Sequence, residues 1–387
     1  MTPNADQAAH SARVLQLISR RIRAAGGFLD FGTFMDLALY APGLGYYSAG
    51  SAKLGAAGDF TTAAEMSDLF ARCIARQCAQ VLAQIPGGSI LELGAGTGRM
   101  AAAILRELAA LERLPAQYDI LEVSADLAAR QRERIATLPE GLGSRVRWLQ
   151  QLPAPGLRGV ILANEVLDAL PCRRFVMGSA PHDIEALGVV LAADGSLAWS
   201  RRPADPQLAA AVQELAAQLP AGLTPGYTSE VCLLADPWIT TLAAALGEGA
   251  MLLFDYGLPR AQYYHPERTR GTLTCHFKHR AHFDPLINVG VQDITAWVDF
   301  TRIALAGHAA GLSVLGFCTQ TAFLLGAGID ALLAQAQGAV EQARLNGEAR
   351  RLLMPGEMGE AFKLLALGRG LDLPLAGFTH QDLRDSL

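Results

Sequence analysis

The sequence predicts an α/β fold in which a mainly parallel sheet carries helices on both faces. Two observations predict it. Short apolar segments alternate with helical segments from residue 89 to 171, and this alternation resumes after residue 248. At 89–111, an apolar strand also runs directly into a glycine-rich turn and a helix. This order is typical of parallel sheets, because two parallel strands are joined by a crossover that is usually a helix.

The predicted strands of this sheet are short and apolar. They are Ser89–Leu93, Tyr118–Val123, Val146–Leu149, Gly159–Ala163, Ala250–Asp255, Ser313–Cys318 and Glu360–Leu367. Helical spacing of apolar residues predicts the connecting helices. They are Met100–Leu111, Ala125–Ile135, a helix near Thr295–Ala309, and helices that fill Ala322–Leu353.

The regular alternation is interrupted between residues 172 and 247. Strand-like pieces at Arg174–Met177, Ala186–Leu191 and Leu197–Ser200 precede helices at Pro206–Gln218 and near Pro237–Leu246. We interpret this stretch as an inserted α+β subdomain. The predicted organisation is an N-terminal helical extension and lid (1–88), an α/β domain (89–171 and 248–370), the insertion (172–247) and a C-terminal tail (371–387).

Composition excludes several classes of protein. Of 387 residues, 51% are hydrophobic and 18% are charged, so the chain can bury a large core and is not a disordered chain. A net charge of −5 gives no general attraction for nucleic acid or an anionic membrane. No apolar run reaches the ~18 residues of a membrane-spanning helix. The six cysteines include no C-x-x-C pair, so the sequence does not predict a zinc ribbon.

A glycine-rich turn, Gly94-Ala95-Gly96-Thr97-Gly98, follows the first strand of the sheet. Glycines let a ligand approach the backbone closely, and the following helix presents its N-terminus to that ligand. The turn alone is a weak signal, because dinucleotide-binding enzymes use a related G-x-G-x-x-G turn. Here Arg99 occupies the place of the last glycine of that pattern.

Glu122 ends the next strand, where its carboxylate can accept hydrogen bonds from both hydroxyls of a ribose. S-adenosylmethionine fits this arrangement, because it has a ribose but no pyrophosphate. Glu92, just before the glycines, can help hold the methionine ammonium through charge-assisted hydrogen bonds. Trp148, or its neighbour Leu149, is expected to line an adenine slot. Two alternatives to S-adenosylmethionine remain: the site binds a dinucleotide, or the glycines of the turn serve packing alone and no ligand binds there.

Further short motifs appear along the chain in a fixed order, and together they are specific. They are Gly45-Tyr46-Tyr47, Gly58-Asp59-Phe60-Thr61-Thr62 with Glu65, Glu92-Leu93-Gly94, Glu122-Val123-Ser124, Asn164-Glu165-x-x-Asp168-Ala169-Leu170-Pro171, Asp255-Tyr256-Gly257, Gly271-Thr272-Leu273, Asp284-Pro285-Leu286, Asp293-Ile294-Thr295 and Val298-Asp299-Phe300. Over about residues 30 to 370, the chain resembles the MidA family of methyltransferases.

This resemblance implies a seven-stranded class I, Rossmann-like methyltransferase fold that uses S-adenosylmethionine. Mitochondrial members of the family are protein arginine methyltransferases. They dimethylate symmetrically a core subunit of NADH dehydrogenase (complex I) and are needed for its assembly. The expected location is the cytoplasm for a bacterial chain, and the mitochondrial matrix for a eukaryotic one.

Asn164 and Glu165 lie where the fourth strand of the sheet ends, the edge at which open α/β sheets bind ligands. A carboxylate can hold a guanidinium bidentately and orient one nitrogen toward a methyl donor. We therefore predict that Glu165 binds the guanidinium, with Asp168 as a weaker candidate and Asn164 as an orienting residue. Capping of a helix N-terminus is the alternative role for both acids.

Two loops are assigned more loosely. Gly58-Asp59-Phe60 is expected to cover the cofactor as a lid, with Asp59 near the ligand. Tyr46 and Tyr47 either line the same pocket or belong to the core.

His276, His279 and His282 recur every three residues beside Cys275. Because this spacing is unusual for zinc and Gly271 and Pro285 favour a loop, we predict no metal site.

Two other functions remain open at this point: a scaffold for complex I assembly without turnover, and a small-molecule methyltransferase. In the leading interpretation, residues 172–247 and 257–300 form the wall that binds a protein substrate. The target protein and arginine, the number of methyl groups, the oligomeric state and the roles of the three histidines are left open by the sequence.

Overall fold

The computed structural model describes residues 2–49, 63–180 and 182–387. The predicted lid Gly58-Asp59-Phe60, and with it the expected ligand contact of Asp59, lies outside the described residues.

The strands alternate with helices along most of the chain. The strands are β1 Leu29–Asp30, β2 Ser89–Leu93, β3 Tyr118–Leu121, β4 Val146–Leu149, β5 Leu157–Asn164, β6 Arg173–Met177, β7 Ile184–Leu191, β8 Leu197–Pro203, β9 Thr228–Val231, β10 Leu246–Leu258, β11 Thr274–Phe277, β12 Arg280–His282, β13 Asp293–Thr295, β14 Val298–Asp299, β15 Ser313–Thr319 and β16 Phe362–Arg369.

The α-helices are α1 Ala5–Ala24, α2 Phe31–Tyr40, α3 Ala63–Met66, α4 Asp68–Gln84, α5 Arg99–Ala110, α6 Ala125–Ile135, α7 Pro206–Gln218, α8 Ala235–Ala245, α9 Arg260–Tyr263, α10 Phe300–Ala309, α11 Gln320–Gly326, α12 Ile329–Leu333 and α13 Ala339–Leu353. Short 3₁₀ helices occupy Gly143–Arg145, Ala376–Phe378 and Arg384–Ser386. Within the described residues, no helix is both long enough and apolar enough to cross a membrane.

The central sheet has the strand order β15-β16-β10-β5-β2-β3-β4, with β14 paired to the end of β10. The strands from β10 to β4 are parallel, whereas β16 runs antiparallel to both of its neighbours. This arrangement confirms the predicted seven-stranded, Rossmann-like sheet. The edge formed by the carboxyl ends of β2, β3 and β5 is where such sheets bind ligands.

Alternation of side chains along the strands divides the core into two layers. Ile90, Val160 and Leu252 pack with α4, α5, α11 and α13 on one face. Leu91 and Ile161, one residue along in each strand, pack with α8 and α10 on the other. Apolar residues on both faces of a strand are characteristic of a sheet that helices cover on both sides.

A second, antiparallel sheet has the order β1-β7-β6-β9, with β8 paired to β7. Its first strand comes from the N-terminal segment, since Leu29 pairs with Val189. Helices α1 and α2 share a core with this sheet, whereas α4 packs on the central sheet. The segment 1–88 is therefore divided between the two sheets, and the domain boundaries given above remain a proposal.

Two predicted elements need correction. The helix expected from Thr295 begins at Phe300, because 293–295 and 298–299 form strands and Asp299 caps the helix by accepting the Arg302 N–H at 3.1 Å. The His-rich loop is a hairpin of β11 and β12, in which Lys278 and His279 adopt φ of 50° and 59° at the turn.

Candidate methyltransferase site

A cavity of about 630 Å3 lies at the carboxyl ends of β2, β3 and β5. Its wall includes residues 92–96 after β2, 121–123 after β3 and 164–166 after β5. Residues of α8, the start of β13 and the two tyrosines Tyr40 and Tyr47 also contribute to the wall. The sheet edge that the sequence identified is therefore an open pocket.

The glycine turn connects β2 to α5 in left-handed backbone conformations. The φ angles of Gly94, Gly96 and Gly98 are 64°, 53° and 78°, a region that side chains rarely tolerate. A Cβ atom at Gly98 would also lie 3.2 Å from the Cα of Gln131 on α6. Because Gly94 and Gly96 line the cavity, their backbone is open to a ligand.

Glu92 has one satisfied and one unsatisfied carboxylate oxygen. The Tyr118 hydroxyl donates to Oε2 at 2.7 Å, whereas the buried Oε1 has no hydrogen-bond partner in the described structure. Burial raises the pKa of this carboxyl to about 7. A buried acceptor in the cavity wall without a partner suits the ammonium of a bound amino acid.

Glu122, just after β3, is held by two donors. Its Oε1 accepts the Ser124 backbone N–H at 2.9 Å, and its Oε2 accepts Nε2 of Gln131 at 2.9 Å. Burial raises the pKa of Glu122, and the hydrogen bonds offset this effect only in part. The carboxylate also lines the cavity. The glycine turn, Glu92 and Glu122 together fit S-adenosylmethionine.

Trp148 does not line the cavity that the described residues enclose. Its indole N–H donates to Oε1 of Gln131 at 3.0 Å, and the guanidinium carbon of Arg132 lies 4.9 Å from the ring centroid. The apolar wall beside Glu122 is instead made by Leu152 and by Val123, which is 83% exposed. The structure therefore gives no support to a direct adenine contact by Trp148.

Gln131 was missed in the sequence, although a signal was present. The buried positions of α6 are Ala128, Gln131 and Ile135. A polar amide in the middle of an otherwise apolar stripe is an indication that it has specific partners, because unpaired buried polar groups are costly.

Glu165 follows β5 with a left-handed backbone, φ 52°. Its N–H donates to the Phe254 carbonyl of β10 at 2.9 Å, and its Oε1 accepts Nδ2 of Asn164 at 3.2 Å. Burial, together with the nearby Asp168, raises its pKa well above the ordinary value. The Oδ1 of Asn164 is buried and has no partner in the described structure.

Asp168 is buried in the same wall, and burial and the neighbouring Asp255 and Asp293 raise its pKa. No helix begins at 165–170, so the alternative role of helix capping does not apply to Glu165 or Asp168. The carboxylate of Asp255 accepts the backbone N–H groups of Leu167, Asp168 and Tyr256 at 2.9 to 3.2 Å. Asp255 therefore holds in place the segment 164–168, which we call the acidic loop.

Asp293, at the start of β13, is a further acid of the cavity wall, in addition to Glu165 and Asp168. It accepts the Tyr47 hydroxyl at 2.9 Å. Tyr40 stacks on Tyr47 with ring centroids 5.5 Å apart, and both rings line the cavity. Tyr46 is buried in the core instead. In the sequence, Asp293 appears only as part of the motif Asp293-Ile294-Thr295. Its position along the chain does not indicate which residues it contacts in the fold.

The three histidines of the hairpin do not converge. His276 and His282 lie on paired strands, opposite Ala281 and Cys275 respectively, and His279 is at the turn. Within the described ranges, no group of three or more His, Cys, Asp or Glu side chains is placed to hold a metal ion.

Residues 73–318 match the model of a family described as "putative S-adenosyl-L-methionine-dependent methyltransferase". The chain belongs to this family. The match decides between S-adenosylmethionine and a dinucleotide in favour of the former. It confirms the class of enzyme and the cofactor predicted from the glycine turn.

Relatives of the family cover nearly the whole chain. A Burkholderia thailandensis crystal structure bound to S-adenosyl-homocysteine is 39% identical, with a TM-score of 0.94 and full coverage of both chains. The mitochondrial protein arginine methyltransferase NDUFAF7 of Danio rerio is 27% identical over 96% of this chain and 93% of its own. The Drosophila melanogaster homologue is 27% identical over 94% and 88%. These likenesses confirm the MidA resemblance and the fold.

Proposed function

We propose that this methyltransferase transfers methyl groups from S-adenosylmethionine to the guanidinium of an arginine side chain in a partner protein. The acidic loop carries this proposal. In the described part of the chain, neither Glu165 nor Asp168 forms an ion pair with Arg or Lys, although both lie in the cavity wall. The names of the curated relatives support the same substrate class.

Electrostatics favours a cationic substrate here. The pKa values of Glu165 and Asp168 are raised by burial and by neighbouring acids, so ionising them without a counter-charge is costly. A guanidinium bound between them would offset that cost and would be held in one plane by its fixed donors. The stacked Tyr40 and Tyr47 offer an aromatic surface, which also attracts cations.

The chemistry requires a guanidinium nitrogen that points at a methyl carbon and can lose a proton. S-adenosylmethionine supplies an electrophilic methyl group when bound. Glu165 holds and orients the guanidinium, and its raised pKa makes its carboxylate a better proton acceptor than an ordinary one. The Oδ1 of Asn164, which has no partner in the described structure, is available to accept a second guanidinium N–H.

The substrate protein is proposed from the family resemblance: a core subunit of NADH dehydrogenase (complex I), dimethylated symmetrically in support of assembly. The inserted subdomain and the 257–300 segment form the proposed wall for it. Leu234, Pro237 and Trp238 from the first and Asp293 from the second line the cavity, which supports this assignment. The proposed location is the cytoplasm for a bacterial chain and the mitochondrial matrix for a eukaryotic one.

The test is transfer of a labelled methyl group from S-adenosylmethionine to purified complex I core subunits, with mass spectrometry of the modified residues. We expect symmetric dimethylarginine that disappears when excess S-adenosylhomocysteine is added. Cofactor binding without transfer to any subunit would favour the scaffold function. Transfer to small amines alone would favour a small-molecule methyltransferase.

A further inference from the structure

Gln131 on α6 is a fully buried polar side chain, with 0% of its surface exposed. Its Nε2 donates to the Gly96 carbonyl and to Oε2 of Glu122, both at 2.9 Å. Its Oε1 accepts the indole N–H of Trp148 at 3.0 Å. One amide therefore connects the glycine turn after β2, the acid after β3 and the aromatic residue of β4.

These partners leave only one orientation of the amide. The nitrogen faces two acceptors and the oxygen faces a donor, so a flipped amide would lose all three hydrogen bonds. Trp148 donates through a nitrogen that cannot accept. The indole of Trp148 thus fixes the direction in which Gln131 donates to Glu122.

The contact with the glycine turn is steric as well as polar. A Cβ atom at Gly98 would lie 3.2 Å from Cα and 3.3 Å from Cγ of Gln131. Gln131 therefore packs against Gly98, the residue just before α5, while it donates to the carbonyl of Gly96, two residues earlier. A shift of α6 would move the turn and Glu122 together.

Glu122 depends on this amide for one of its two oxygens. Ser124 donates to Oε1 and Gln131 donates to Oε2. A carboxylate held by two fixed donors has one orientation, and its remaining lone pairs point in directions set by those donors. In the proposed binding mode, those lone pairs accept from the ribose hydroxyls.

We propose that Gln131 is a positioning residue for the cofactor, which sets the glycine turn and the ribose acid at a fixed separation without lining the cavity itself. The proposal rests on S-adenosylmethionine as the cofactor and on the ribose contact of Glu122. It does not depend on the arginine substrate.

The test is calorimetric titration of the full chain with S-adenosylhomocysteine and with its 2′-deoxy analogue. Gln131→Met removes the amide at similar volume. Gln77→Met is the matched control, because Gln77 is also a buried glutamine with hydrogen bonds, to Gln80 and the Gly377 N–H, but lies away from the cavity. We expect Gln131→Met to weaken S-adenosylhomocysteine binding at least tenfold and Gln77→Met to change it less than twofold.

The analogue separates positioning from general loss of structure. Wild type should bind the 2′-deoxy analogue much more weakly than S-adenosylhomocysteine, whereas Gln131→Met should discriminate between them less than threefold. Unchanged affinity, or a weakened affinity with the wild-type discrimination, would overturn the proposal.

Two further variants keep the test decisive. If Gln131→Met does not fold, Trp148→Phe keeps the amide but removes its indole donor, and we expect about threefold weaker binding with reduced discrimination. Wild-type values for Trp148→Phe would then overturn the proposal. Glu122→Gln is measured alongside; if it retained full discrimination, the ribose contact itself would be wrong.

Discussion

The two sides of the cavity hold their acids in opposite ways. On the cofactor side, both oxygens of Glu122 accept a hydrogen bond, one from Ser124 and one from Gln131, and the charge of Glu122 helps to raise the pKa of Glu92. On the substrate side, Glu165 and Asp168 lie close enough to each other to raise the pKa of Glu165, and Asp255 and Asp293 add to the charge.

This difference shows that the orientation of Glu122 is set before any ligand binds. Hydrogen bonds to both of its oxygens offset part of the cost of its burial, whereas Glu92 keeps a buried oxygen without a partner in the described structure. Several buried carboxylates without a counter-ion are destabilising until a cation arrives. Under the proposed function, a positively charged substrate would offset the cost of the buried acids Glu165 and Asp168, whereas the cofactor would bind to a carboxylate, Glu122, that is already oriented.

The largest expected effect separates the two sides. Glu165→Gln removes the negative charge and the proton acceptor but keeps the shape, so we expect kcat for methyl transfer to fall about 10²–10⁴-fold. The Kd for S-adenosylhomocysteine should change less than twofold. The measurements are methyl transfer and calorimetry. Glu185→Gln is the control, because Glu185 on β7 forms a surface ion pair with Arg201. Wild-type turnover in Glu165→Gln would contradict the guanidinium role.

The second variant makes the converse change. Glu122→Gln replaces the charged acceptor on the cofactor side by a neutral one. Charge-assisted hydrogen bonds contribute roughly 1.5–3 kcal/mol, so Kd for S-adenosylhomocysteine should rise about 10- to 100-fold. At saturating cofactor, kcat should remain within about threefold of wild type. A large loss of kcat with unchanged Kd would show that the two sides are not separable.

A smaller effect is expected from the aromatic wall. Tyr47→Phe removes the hydroxyl that donates to Asp293 at 2.9 Å and leaves the stacked ring in place. We expect KM for the cationic substrate to change about threefold to tenfold, since a typical hydrogen bond contributes roughly 1 kcal/mol. Steady-state kinetics at fixed cofactor measures this. Tyr46→Phe is the control, because Tyr46 lies in the core.

The smallest expected effect is on stability, and its sign is informative. The folded state raises the pKa of Asp168 above its ordinary value near 4, so the native protein binds that proton more tightly than the unfolded chain does. Stability from this group therefore falls as pH rises from about 4 toward its folded pKa. Asp168→Asn should relieve this cost and raise Tm by about 2 °C at pH 8.

The control for this prediction is pH itself. At about pH 3, below the ordinary pKa of aspartate, the carboxyl is largely protonated in both states, and the Tm advantage of Asp168→Asn should vanish. The same variant should bind the cationic substrate more weakly. Equal Tm values for the variant and the wild type at pH 8, measured by calorimetry, would mean that the substrate side carries no electrostatic cost.

The cofactor side could be predicted from sequence because its determinants are local. The strand, the turn at 94–98 and the helix follow one another directly, and Glu122 comes directly after the next strand in the chain. Strand pairing of β2 with β3 then brings the two together. The role of Gln131 was not predicted, because its hydrogen-bond partners lie in three different segments. The only signal in the sequence is that a polar residue occupies a position in the apolar stripe of α6.

The substrate side was only partly predictable, because its acids come from distant segments. Glu165 and Asp168 followed from the end of β5, whereas Asp293 lies more than a hundred residues later and Asp255 lies within another strand, β10. No partner of Asp293 could be predicted, because the pairing of β11 with β13 is not visible in either segment alone. Trp148 was assigned a direct role because strand order predicts proximity but not the direction of a side chain.

The left-handed backbone of Glu165 has a consequence for engineering. A non-glycine residue at φ 52° costs about 1–2 kcal/mol, so glycine or asparagine would be favoured there by stability alone. A thermostabilisation campaign that screens only for melting temperature should therefore select substitutions at this position. The most thermostable variants would then lack the Glu165 side chain, on which the proposed catalysis depends.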